Sequence, residues 1–86
     1  MTRTYNVKYK SKSKMLKDAA AIDNTEKEIK QFELVKSVKI TDEGQIVTIE
    51  AEEKDFTDVM NYVVNVFRKI DDKSEVAYKF ALNMNR

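Results

Sequence analysis

The sequence has neither cysteine nor histidine. Disulfides, thiolate and imidazole metal sites, cysteine nucleophiles and histidine bases are therefore all excluded. Proline and tryptophan are missing too, and glycine occurs once, at Gly44. Glycine takes positive φ without steric cost, so the place of a lone glycine is informative. No apolar run approaches the ~20 residues of a membrane-spanning helix. The opening residues, MTRTYNVKYK, are not a signal peptide. These absences lead us to expect a cytoplasmic protein with no membrane contact, no cofactor and no metal.

The 86 residues that are present leave room for one core, so residues 1–86 are expected to form a single domain. A chain of this size buries only about 60% of the surface it exposes when unfolded. A stability of a few kcal/mol is the corresponding expectation, and association with a partner would add to it. Hydrophobic content of 42% beside 36% charge places the chain among globular proteins.

Charge is unevenly spread. Residues 1–18 carry Arg3, Lys8, Lys10, Lys12, Lys14 and Lys17 against Asp18, a local balance of +5. Residues 19–75 hold fourteen acids against eight bases, a balance of −6. A basic segment on an acidic body can steer an anionic partner. The competing explanation is a lysine-rich strand and loop that is simply solvated.

The clearest element is Asp55 to Ile70. Phe56, Val59, Met60, Val63, Val64, Phe67 and Ile70 recur at helical spacing and make one apolar face. Asp55, helped by Asp58, is placed to cap the first turn, and Arg68 and Lys69 suit the last. Tyr62 and Val66 flank that face and widen the apolar arc to about 200°. The surplus is explained either by contact with the 13–33 segment or by a contact between molecules.

Elsewhere, Arg3 to Lys10 alternates, with Tyr5, Val7 and Tyr9 on the expected core side. Residues 11–24 admit either a short helix begun by Ser13 or an ordered loop. Thr25 and Glu28 have capping-box spacing and predict either a short helix over Thr25 to Glu33 or one that continues backwards to Ser13 with a kink near Asn24. Leu34 to Thr41 and Gln45 to Glu52 read as two strands joined by a turn at Thr41-Asp42-Glu43-Gly44. After an Asp71–Ser74 turn, Glu75 to Asn85 reads as a last strand. Val76, Tyr78, Phe80, Leu82 and Met84 alternate there with Ala77, Lys79, Ala81 and Asn83.

This order predicts an α+β, ferredoxin-like βαββαβ sandwich, a four-stranded antiparallel sheet with two helices on one face. The first and third strands should be central and the last at an edge. The stretch LVKSVKITDEGQIVTIEA resembles the strand–turn–strand of heavy-metal-associated domains. The paired-cysteine metal loop of that family is absent, since KSKSKML follows the first strand here. The resemblance therefore implies a fold and no metal carriage.

RNA-recognition domains share the plan and stack bases on aromatics of the central strands. Side-chain parity gives the open face here as Thr4, Asn6, Lys8, Lys10, Lys39, Thr48, Lys79 and Asn83, with no stacking platform. The acids Glu50, Glu52, Glu53, Asp55 and Asp58 are explained by helix capping and an exposed strand end. No glycine-rich phosphate loop occurs, and no nucleophile stands beside a base. The expected function is a non-enzymatic binding module, a small regulator or inhibitor docking on another protein or on a second copy of itself. Tyr62, Val66, Lys79 and Ala81 are the candidate contact residues. The alternative is a nucleic-acid-associated protein touching phosphates through Lys8, Lys10, Lys12, Lys14 and Lys17.

Overall fold

The computed structural model describes residues 1–82, the last four of them by backbone alone. Asn83, Met84 and Asn85, which the last strand was expected to include, lie outside the described residues. The elements are β1 (Thr2–Lys8), α1 (Ala19–Lys30), β2 (Ser37–Thr41), β3 (Ile46–Glu50), α2 (Phe56–Ile70) and β4 (Glu75–Leu82). All strand pairs are antiparallel, in the order β2-β3-β1-β4. The fold is thus α+β, with β1 and β3 central and β2 and β4 at the edges.

Period-2 apolar positions supply one wall of the core and period-3.6 positions the other. Val7, Ile40, Val47 and Ile49 of the sheet form one buried cluster with Ile29 of α1. Phe56, Val59, Val63, Val66 and Phe67 of α2 join it, with Leu16, Val35 and Ala51 from the connecting segments. Burying a side chain of this size is worth about 1.5–3 kcal/mol, so these residues dominate the stability of the domain.

Helix α1 differs from the expected short helix. It starts at Ala19, capped by Asp18, whose Oδ1 accepts the Ala21 N–H at 2.7 Å. Aspartate is the stronger cap, and the three alanines that follow are the best helix formers, so the helix nucleates well before Thr25. Thr25 caps nothing. It lies inside the helix, buried, with its hydroxyl donating to the Ala21 carbonyl at 2.9 Å. Residues 12–14 make only a 3₁₀ turn.

Helix α2 matches the expected span, but Asp55 is not its side-chain cap. A 3₁₀ turn over Glu53–Asp55 leads into the helix and leaves Asp55 near the helical region, at φ −96° and ψ −6°. A capping side chain needs an extended backbone to reach the first-turn N–H groups. Strand β2 begins later than expected. Leu34 belongs to the preceding turn, and Val35, not singled out by the strand pattern, is buried in the core.

The turn between β2 and β3 contains positive φ at Asp42 (55°), Glu43 (58°) and Gly44 (89°). The lone glycine is where positive φ was expected, and two further residues share that conformation. Strand β4 departs from strict alternation. Tyr5 pairs with Tyr78 whereas Thr4 pairs with Phe80, a one-residue register shift that leaves Lys79 without an opposite residue. Positions 80 and 82 therefore stand opposite Thr4 and Thr2, not in line with Val76 and Tyr78.

Candidate functional site

The lysine-rich loop between β1 and α1 is held at four points. The Tyr9 hydroxyl donates to the Gly44 carbonyl at 2.8 Å, and its ring meets Phe67 edge-on at 6.4 Å. The Ser11 N–H donates to Asp71 Oδ2 at 3.1 Å. The Lys12–Lys14 turn closes through Lys14 N–H to Ser11 O at 3.0 Å. Leu16 is buried, and its N–H donates to the Glu43 carbonyl at 2.9 Å. Apolar and polar residues at these points face inward, so Lys8, Lys10, Lys12, Lys14 and Lys17 are all left exposed. Among the described residues none of these five makes an ion pair.

Asp71 anchors this end of the molecule. Its Oδ1 also accepts the Lys73 N–H at 3.1 Å, and its own carbonyl accepts the Ser74 N–H at 2.9 Å. The N–H of Ser11 is the main reason its carboxyl is held below the ordinary value, with Lys73, Lys10 and the Lys14 charge adding to it against the opposing effect of burial. Burial, reinforced by the Asp71 charge, pushes the Tyr9 phenol up to about 12. Neither residue was singled out from sequence. Asp71 looked like an ordinary turn residue, and Tyr9 one more tyrosine of an alternating strand.

Arg3 does not join the basic surface. Its guanidinium lies over the Phe56 ring at 4.4 Å and 5.8 Å from the Tyr78 ring, with Nε buried and unpartnered. Tyr5 is buried and meets Tyr78 edge-on at 5.7 Å. Tyr78 itself is 58% exposed on the edge strand, which leaves this cluster open on one side.

The apolar arc of α2 is used within the chain. Val66 is 2% exposed, so it has no free surface to offer a partner. Tyr62 stacks on Phe32 at 4.9 Å, and its hydroxyl donates to the Glu28 carbonyl at 3.0 Å. Lys69 closes the same contact by an ion pair with Glu28. Contact with the 13–33 segment thus accounts for the wide arc. Lys79 and Ala81 lie on β4, Lys79 at the register shift and Ala81 opposite Arg3.

Two acids of the acidic stretch have structural partners. Glu52 pairs with Lys36 at 2.5 Å, and Glu50 accepts the Ser37 hydroxyl at 3.2 Å. Among the described residues no group of three or more potential ligands is placed to hold a metal ion, and no helix is long and apolar enough to cross a membrane. One residue outside every expectation is Glu26 of α1. Its Oε2 accepts the Ile40 N–H of edge strand β2 at 2.8 Å. Beside it a shallow groove of about 500 Å³ runs between α1 and Val38, lined by Asp23, Glu26, Lys27 and Lys30.

These elements and surfaces make a small α+β fold with edge strands β2 and β4 and a lysine-rich loop. Compared with known proteins, the chain matches no family model, no curated protein and no solved structure.

Proposed function

We propose that the chain is a non-enzymatic docking module of ferredoxin-like architecture, a small cytoplasmic regulator or inhibitor that engages another polypeptide through strand β4. The element order and the β2-β3-β1-β4 sheet support that architecture. One observation carries the docking role. Of the two edge strands, β2 has its Ile40 N–H capped by Glu26, whereas β4 presents the 58% exposed Tyr78. An edge strand with unpaired backbone groups recruits a further strand, and an exposed aromatic is a frequent interface anchor. Tyr62 and Val66 have no part in this surface, since the packing of α1 on α2 uses them.

The test is a photo-crosslinking residue placed at position 78, compared with the same residue at exposed Thr57 on α2, in cells of the native host. Polypeptide adducts should form from position 78 and not from position 57. Equal labelling at both, or none at 78, would remove the docking role of β4.

A second function is favoured by the five exposed lysines at the end of β1 and on the fixed loop after it, none of them in an ion pair among the described residues. They suit the phosphates of a nucleic acid. Five phosphate contacts give a salt slope that costs about 500-fold in affinity between roughly 50 and 200 mM salt. Fluorescence anisotropy of a labelled duplex measures this directly, and an affinity that ignores salt would exclude this mode.

A further inference from the structure

We infer that the partner best fitted to β4 is a second copy of the same strand, paired antiparallel about a two-fold axis at Ala77. The inference rests on β4 being the docking edge. Hydrogen bonds of an antiparallel strand point alternately to its two neighbours. Val7 of β1 donates to Gln45 beside β3, so Asn6 and Lys8 direct their backbone groups to β4. Their partners there are Ala77 and Glu75, which therefore bond inward. The groups left pointing outward in this stretch belong to Val76 and Tyr78.

Only one register lets these outward groups satisfy one another, with Val76 opposite Tyr78 of the copy and Ala77 opposite itself. Four backbone hydrogen bonds result. The same register sets the exposed Tyr78 ring beside a β-branched valine, a favourable cross-strand pair. The register shift at position 79 ends the regular edge and excludes longer or slipped pairings.

The other edge offers no such match. A two-fold pairing of β2 would use Val38 and Ile40, with the axis at Lys39. Ile40 already gives its N–H to Glu26, and Lys39 would face Lys39. A β2-to-β4 contact meets the same capped N–H. The self-pairing therefore closes at two copies, giving one continuous sheet and no open-ended array.

Ala77 is exposed and stands opposite its own copy at the axis, so charge placed there tests the geometry. Sedimentation equilibrium on the full chain, from about 1 µM to 1 mM, should show a monomer–dimer equilibrium. Ala77→Glu and Ala77→Lys should each raise the dimer dissociation constant at least ~10-fold through like charges directly opposite. An equimolar mixture of the two should associate again as a heterodimer, which shows that neither variant has merely misfolded. A monomer throughout the range, a dimer indifferent to both substitutions, or a mixture that stays monomeric would each overturn the inference. If position 78 still crosslinks to a host polypeptide in that event, self-pairing is lost and the docking function stands.

Discussion

Gly44 shows how one residue can organise three segments. Its φ of 89° and its carbonyl, held by Tyr9, leave no room for a Cβ, which would come 2.6 Å from the Tyr9 hydroxyl and 2.8 Å from Leu16 Cγ. Gly44→Ala should therefore cost on the order of 2–5 kcal/mol, combining left-handed strain with overpacking. Chemical denaturation measures it, and a loss below about 1 kcal/mol would show that the loop gives way freely. Phe67, with no exposed surface, lies where α2 meets Tyr9. Phe67→Ala should cost about 3–5 kcal/mol through the cavity it leaves, a large share of a small domain's stability. The lone glycine was legible in the sequence because its rarity marked the turn. Its close contacts were not, since Tyr9 and Leu16 approach it only through the tertiary fold.

At the scale of elements, strong periodicity was legible and local exceptions were not. The span of α2 followed from apolar spacing alone. Competing caps were harder to rank. Thr25 and Glu28 had the right spacing, yet Asp18 ahead of three alanines began the helix earlier. The alternation of β4 concealed a register shift, because a bulge leaves no mark in a strand whose residues alternate throughout. The edge cap on β2 was equally hidden, since Glu26 and Ile40 meet only once α1 has packed. Glu26→Ala should free the Ile40 N–H, speeding its hydrogen exchange severalfold relative to Val47 in the adjacent central strand. It should also permit association through β2. Unchanged exchange at Ile40 would mean that the carboxylate does not protect that edge.

For the whole molecule, charge is segregated and pH acts on the anchors of the basic loop. Asp71 titrates below the ordinary carboxylate value, chiefly because of the Ser11 N–H. Its ionised form therefore stabilises the fold above about pH 4, where an unfolded aspartate titrates, and that contribution is lost as pH falls through the lower folded value. Tyr9 behaves in the opposite sense. Its neutral phenol contributes fully below the ordinary value of 10.0, and the contribution is lost as pH rises from there through about 12. Thermal unfolding of the wild type and of Tyr9→Phe should converge across that alkaline window. At neutral pH the variant should be less stable by about 0.5–1.5 kcal/mol, the net worth of its hydrogen bond to Gly44. Parallel curves from pH 9 to 12 would show that Tyr9 plays no part in alkaline unfolding.

The central place of β1 has a kinetic consequence. Strand β1 is completed by β3 on one side and by β4, far along the described chain, on the other. One flank waits for β3 and the other for β4, and closing such long loops must precede the contacts that reward it. Folding should therefore take milliseconds or longer, with the β1–β4 seam closing late. A nascent chain halted after Ile70 should hold β1 with one flank bare, a form that stopped-flow refolding and ribosome-stalled proteolysis can both detect.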